Sequence, residues 1–261
     1  MNLLPRRFFC GVFYSGYRRI IFVYDRAPGR PAAKMKGADM KLTAKKITTT
    51  AMIAALAYVV MVFVRIPLMP AAPYLEYDPK DVLFVITGFL LGPLESFISI
   101  ILVCLIEMVT VSDSGPIGLL MNVIASLFFV MPAVLIYHKK RTLPAAVIGL
   151  SCGVIAMTGS MLLWNYLITP LYTGMPREAV ASMLPTIFLP FNLIKAGINM
   201  AITLIIYKPI SKLLHLPALL GPVEKTEQGG RKKFTPFAII LGVILLAGCI
   251  LAIILLRNQP V

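Results

Sequence analysis

Histidine is almost absent from this chain, and cysteine is sparse and dispersed. The two histidines, His138 and His215, each stand beside basic residues at the end of an apolar run, so they offer no metal-ligand spacing. The four cysteines, Cys10, Cys104, Cys152 and Cys249, form no C-x-x-C pair. Three of them lie inside apolar runs and are expected to behave as small buried hydrophobes. No G-x-x-x-x-G-K-[ST] phosphate loop and no serine-nucleophile elbow occurs. Any ATP-driven step would need an ATPase on another chain. Paired catalytic carboxylates and a nucleophile–base set are missing as well, so neither an enzyme nor a cofactor is expected.

Charge is the next scarcity. Only 14% of the 261 residues are charged and 59% are hydrophobic, with a mean hydropathy of +0.87. That balance describes an all-α polytopic membrane protein rather than a soluble domain. Acids are the rarer sign, 11 Asp and Glu against 25 Lys and Arg, leaving a net charge of +14. In a soluble protein this excess would suggest nucleic acid. Here the basic residues cluster between apolar runs, so they read as topology signals, and no nucleic-acid partner is expected. An internal repeat is also lacking, which weakens the inverted-repeat secondary transporter as a reading.

Four stretches follow. Residues 1–40 form a basic N-terminal extension in which Arg6, Arg7, Arg18, Arg19, Arg26 and Arg30 interrupt short apolar pieces. No continuous apolar centre supports a signal peptide. The segment is either a basic stretch on the inner membrane surface or non-native sequence upstream of a start at Met35 or Met40, and the second reading is preferred. Residues 41–215 hold six apolar runs, 216–233 a polar linker around Gly221–Gly230, and 234–261 a further run with a short tail. That last run, Phe234–Leu256, is expected to be a lipid-exposed seventh spanning helix, uninvolved in binding.

Within 41–215, Lys41, Lys45 and Lys46 precede a first helix expected over Ile47–Ile66, placing the N-terminus in the cytoplasm of a multi-pass cell-membrane protein. Ala51 and Ala55 are four apart on it, a spacing that admits another helix backbone. A Pro-rich loop, Pro67–Asp81, cannot be a regular helix, yet it holds Leu75, Tyr74 and Tyr77. It reads as a lid or as an interfacial anchor, and Asp81 as the N-cap of the next helix. That helix, Val82–Leu91, stops at Gly92-Pro93. The third, Leu94–Val111, carries Glu95, expected to be solvated, and Glu107, a possible counter-charge for Lys195. A fourth helix with Asn122 and Pro132 ends near Tyr137, and a fifth covers Leu143–Ile168. An outer loop Thr169–Met183 leads to the sixth. Glu76, Asp78, Asp81, Asp113 and Glu178 all fall on the outer side in this scheme.

The sixth run, Leu184–Tyr207, contains the stretch that points to function. Lys195 lies near its middle, where an ammonium costs about 2.5–3.5 kcal/mol. Asn192, Lys195 and Asn199 fall on one helical face. Lys195 either pairs with a carboxylate to hold helices together or faces a ligand; its central position argues against snorkelling. Asn165, Asn192 and Asn122 could converge with it beneath the Pro-rich loop, with Tyr74, Tyr77, Phe84, Trp164 or Phe188 covering a ring. Amides donate and accept while lysine only donates, which suits a planar neutral heterocycle better than its phosphate ester.

The motifs Tyr74-Leu75-Glu76-Tyr77-Asp78-Pro79-Lys80-Asp81-Val82, Gly88-Phe89-Leu90-Leu91-Gly92-Pro93, Gly115-Pro116-Ile117-Gly118 with Asn122, Asn165-Tyr166 before Pro170-Leu171-Tyr172, and Pro190-Phe191-Asn192-Leu193-Ile194-Lys195 together resemble the riboflavin-specific S component (RibU) of energy-coupling-factor (ECF) transporters. The resemblance covers about residues 41–215. It implies a six-helix S-component fold, here with an extra C-terminal transmembrane helix, that captures riboflavin from outside. It further implies docking on a T subunit carrying two ABC-type ATPases, with uptake by toppling of the S component. Side chains matching Asn165, Asn192 and Lys195 would meet the flavin's polar edge, and the loop at Tyr74, Leu75 and Tyr77 would close over it. The Ala51 and Ala55 face would contact the T subunit. An S component for another vitamin such as thiamine, or an ion-coupled secondary transporter, is the rival reading.

Overall fold

A computed structural model describes residues 10–15, 18–23, 44–69, 72, 75–111, 115–213 and 237–257, with positions 10–15, 18–23, 45, 208–213, 237, 238 and 257 described by backbone alone. Tyr74, Asp113, His215, the linker 216–233 and most of residues 1–40 lie outside the described residues. The chain divides into two compact units, Met1–Lys41 and Leu42–Val261. In the first, β1 (Cys10–Ser15) and β2 (Arg18–Val23) pair antiparallel, with Cys10 opposite Val23 and Ser15 opposite Arg18.

The second unit is helical. Its elements are α1 (Ala44–Phe63), a short antiparallel pair β3 (Ile66–Pro67) and β4 (Glu76–Tyr77), α2 (Lys80–Leu90), α3 (Pro93–Thr110), α4 (Gly115–Lys140), α5 (Leu143–Thr173), α6 (Arg177–Met183), a π-helical turn Leu184–Phe188, α7 (Leu189–Leu213) and α8 (Phe237–Arg257). Six segments among the described residues are long and apolar enough to cross a membrane: Lys46–Phe63, Pro93–Thr110, Gly115–Lys140, Leu143–Thr173, Arg177–Tyr207 and Ile239–Leu256. The expected second helix is present but has only 11 residues. Its end is set by Gly92, whose φ of 135° suits a residue without Cβ, and by Pro93 opening α3. The expected outer loop 169–183 is mostly helix instead: α5 continues to a left-handed Gly174 cap, and α6 begins three residues later. Pro185, which has no N–H to donate, falls in the widened π turn that joins α6 to α7.

The main core joins α1 to α5 and α7 around Phe84, Phe89, Phe129, Val134, Leu150 and Leu204. A second cluster packs loop residues Leu68, Met69, Ala72, Leu75 and Tyr77 on Phe188, Phe191, Ile194 and Ile198. Where α4 meets α5, small residues bring the backbones together: a Cβ at Gly149 would stand 2.9 Å from the Ala133 carbonyl oxygen, and one at Gly153 would collide with that of Phe129. Gly153→Ala is therefore expected to lower stability by about 1–3 kcal/mol, as overpacked cores do. Thermal unfolding in detergent measures this, and an unchanged midpoint would refute so close an approach.

The C-terminal helix α8, expected as a seventh span, is the sixth apolar enough to cross and differs in part from expectation. Ile240, Val243, Ile244, Leu251 and Ile254 are exposed, as a lipid-facing helix requires. The other face of α8 packs on α7, where a Cβ at Gly242 would lie 2.9 Å from the Ala201 carbonyl oxygen. From that face Leu246, Cys249, Ala252 and Ile253 reach the cluster that holds the loop. Among the cysteines Cys104 is buried, Cys249 half-buried and Cys152 exposed. In lipid an apolar run has no obligatory inside, so the expected burial of Cys152 does not hold.

Candidate functional site

The site begins with a loop that proline forbids from being a helix. Pairing of β3 with β4 sets Pro67 opposite Glu76 and Ile66 opposite Tyr77. The Ala72 N–H donates to the Met69 carbonyl (3.1 Å) and the Leu75 N–H to the Ala72 carbonyl (2.9 Å). Tyr77 and Leu75 are thereby buried, and Asp78 is delivered to the start of α2. Tyr74, singled out with them, lies outside the described residues.

On α7 the expected face is inward: Asn192, Lys195 and Asn199 are 2%, 8% and 0% exposed, whereas Leu193 between them is 44% exposed. Lys195 Nζ pairs with Asp78 Oδ2 at 2.9 Å and donates to the Glu76 carbonyl at 3.4 Å. Glu107, the suggested counter-charge, is not its partner. Glu107 instead takes Lys80 Nζ at 2.7 Å on Oε2, with Arg65 at 3.2 Å and Asn122 Nδ2 at 3.1 Å on Oε1. Arg65 also reaches Glu76 at 3.3 Å, and Lys80 lies 3.5 Å from Asp78 Oδ2. Asp81 accepts from Ser126 Oγ at 2.5 Å and Asn199 Nδ2 at 3.2 Å, while Asn199 Oδ1 accepts from the Tyr77 hydroxyl at 3.0 Å. Lys80 and Lys195 are thus buried with Asp78 and Glu107, where isolated charges would each cost several kcal/mol, and the half-buried Arg65 extends the network to the partly exposed Glu76. Burial works against the charge on Asp78, but Lys195 and Lys80 outweigh it and hold the carboxyl below its ordinary range.

Several expectations are corrected by this geometry. Asp81 does not cap α2; the cap position is Pro79, and the Asp81 side chain turns across to α4 and α7. Asp78 and Asp81, placed on the outer side by their sequence, are both buried. Glu95 is also buried, accepting from Lys46 at 3.3 Å. Asn122 belongs with Glu107, whereas Asn165 and Asn192 bond to groups of their own helices. Asn165 donates to the Met161 carbonyl at 2.7 Å and accepts from Thr169 at 3.0 Å, and Asn192 donates to the Phe188 carbonyl at 2.8 Å. Among the described residues no hydrogen bond joins either amide to Lys195.

Sequence reasoning missed Asp78, Lys80, Arg65 and Ser126 as partners. The signal was three charges in the four residues Asp78–Asp81, directly before an apolar helix. Among the described residues no group of three His, Cys, Asp or Glu side chains is placed to hold a metal ion. The carboxylates face ammonium, guanidinium, amide and hydroxyl donors. What the arrangement can do chemically is present fixed donors and acceptors to a polar ligand edge between apolar walls.

On the Ala51 side of α1, both Ala51 and Ala55 are exposed, together with Met52, Leu56 and Phe63, while Ala54 and Ala57 enter the core. Among the described residues nothing covers this small-residue face.

Comparison with known proteins places this architecture. The sequence profile for the substrate-specific component of ECF transporters matches residues 45–207. The chain is 29% identical over 176 residues to the riboflavin transporter RibU of Staphylococcus aureus (strain TCH60), covering 65% of this chain and 92% of that one. It is 30% identical over 160 residues to the riboflavin transporter FmnP of Bacillus subtilis (strain 168), covering 58% and 84%. A solved structure of the S component of a bacterial ECF transporter superposes with a TM-score of 0.56 at 28% identity, over 66% of this chain and 98% of that one. The match ends at Tyr207 and so leaves α8 outside it. The buried polar face of α7, the folded loop before α2 and the matched span 45–207 together make this chain a member of the ECF transporter substrate-specific components.

Proposed function

We propose that the chain binds riboflavin and delivers it across the membrane when docked to a T subunit carrying two ABC-type ATPases. The observation that carries this reading is its match to two riboflavin transporters over 92% and 84% of their own lengths. The family is one of transport components, not enzymes. Asn165, Asn192 and Lys195, with Leu75 and Tyr77 of the loop, are the ligand-facing set; Tyr74 joins them from the sequence motif. Asn122 acts one step away, through Glu107. Ala51 and Ala55 form the docking face. Lysine and arginine at 41–46, 138–141 and 231–233 put the start of α1 in the cytoplasm. The first loop then opens to the outside.

Isothermal titration of the detergent-solubilised chain against a panel of vitamins tests the ligand. Binding of riboflavin in preference to thiamine is the expected result, and a preference for thiamine would overturn it. Uptake by this chain alone in liposomes, without ATPase partners, would favour an ion-coupled transporter instead. Lys195→Ala removes a charged donor, so riboflavin binding is expected to weaken by about 1.5–3 kcal/mol. Unchanged affinity in that variant would refute the site.

A further inference from the structure

One stripe of α8 meets the rest of the chain. Gly242, Leu246, Cys249, Ile253 and Leu256 recur every three or four residues and are buried or half-buried, whereas Ile240, Val243, Ile244, Leu251 and Ile254 on the other side are exposed. The partner of that stripe is α7. A Cβ at Gly197 would lie 2.9 Å from Cys249 Sγ, as one at Gly242 would from the Ala201 carbonyl oxygen. Later residues of α8 thus meet earlier residues of α7, and the two helices run antiparallel. Small residues at both contacts permit this approach, and such packing is what joins helices where lipid tails are as apolar as the side chains.

The antiparallel order carries the second half of α8 towards the start of α7, where the loop before α2 rests. Leu68, Met69, Ala72 and Leu75 are buried with Phe188, Phe191, Ile194 and Ile198, and Cys249, Ala252, Ile253 and Leu256 pack against the same cluster. By helical spacing, Phe191, Ile194 and Ile198 lie between the side of α7 that carries Lys195 and the side that carries Gly197 and Ala201. Loop and α8 therefore stand next to one another on α7. Burial first, then Asp78, Asp81 and the Cys249 thiol, push the Tyr77 hydroxyl above its ordinary pKa, so α8 is near enough to act on a residue of this loop. The family match ends at Tyr207 and does not account for that contact.

We propose that Ile253 and Leu256 of α8 are positioning residues for the loop, bracing it in its closed arrangement and so slowing escape of the bound ligand. The inference rests on the reading of this loop as the cover of a riboflavin site. It makes α8 part of what retains the ligand, against the sequence expectation that this helix takes no part in binding. A contact shifts an equilibrium only by the difference in its strength between the two states. Opening takes Leu68, Met69 and Leu75 out of the shared cluster, while α8 stays seated on α7 through Gly242 and Gly197. The brace therefore favours the closed loop alone, and release must wait for the loop to part.

The test trims opposite faces of one turn of α8 in the full detergent-solubilised chain. Ile253→Ala with Leu256→Ala shortens the packed side; Ile254→Ala with Leu255→Ala removes the same atoms from the exposed side. Flavin fluorescence after dilution gives the rate of riboflavin release. Hydrogen exchange at the Ala72 and Leu75 amides, which bond within the loop, gives its opening without ligand. The packed-side pair is expected to speed release by on the order of tenfold, as loss of about ten carbon–carbon contacts would, and to speed exchange at both amides. The exposed-side pair is expected to change neither rate. Equal rates in the two variants overturn the proposal, and so does a change in only one of the two readouts. Should the packed-side pair fail to fold, Ile253→Ala against Ile254→Ala makes the same comparison. An unaltered protein that binds no riboflavin would count against the riboflavin reading, while loop exchange still decides whether α8 braces the loop.

Discussion

Glu107→Ala is expected to destabilise the folded chain by about 3–5 kcal/mol, the cost of stripping one partner from a buried ion pair. Glu107 is the point where α3 collects Lys80 from α2, Arg65 from the chain after α1 and Asn122 from α4, at 2.7, 3.2 and 3.1 Å. Without it, the Lys80 ammonium, with a side chain 2% exposed, keeps only Asp78 at 3.5 Å. Glu107→Gln retains the acceptor for Asn122 and should lose less. The double change Lys80→Met with Glu107→Leu should recover much of the loss, because well-packed apolar residues often replace a buried pair at little cost. Denaturant unfolding in detergent measures all three. A loss below about 1 kcal/mol for Glu107→Ala, the range of ordinary substitutions, would show that the network does not hold these helices together.

Trp at both Ala51 and Ala55 is expected to abolish uptake while leaving riboflavin affinity unchanged. The two alanines are exposed, and the core-facing positions of α1 are Ala54 and Ala57, so the larger rings need not disturb the fold. Small residues four apart allow a partner helix to approach to backbone contact; indole rings would hold the axes apart. Titration of the purified chain and transport assays in the presence of the T subunit and ATPases separate the two effects. Transport that survives both tryptophans would place docking elsewhere on the chain.

The inward face of α7 was legible because 3.6-residue periodicity acts on residues close in sequence. Asn192, Lys195 and Asn199 had to share a side, and the energetic penalty on Lys195 said which side. The same holds for the break at Gly92-Pro93 and for a non-helical loop with four prolines. Lys195's partner was not legible, since Asp78 is 117 residues away and nothing local distinguishes it from Glu107. Local rules also favoured Asp81 as a helix cap, yet a capping bond is worth only about 0.5–2 kcal/mol, and Asp81 pairs across the bundle with Ser126 and Asn199 instead. Glu95 read as solvated from its place near a helix start, but Lys46 folds over it. Cys152 illustrates another limit: a membrane helix is apolar towards lipid and towards its neighbours alike, so hydropathy alone does not tell which way a small apolar residue faces.

The brevity of α2 bears on how a solute arrives. Its 11 residues rise only about 16 Å at 1.5 Å each, roughly half of the ~30 Å of hydrocarbon a bilayer presents. α2 therefore cannot cross by itself, and irregular chain that made up the depth could not turn its peptide groups towards lipid, whose tails cannot satisfy them. A solute captured beside α2 is accordingly expected to come in from the aqueous phase rather than sideways from the acyl tails.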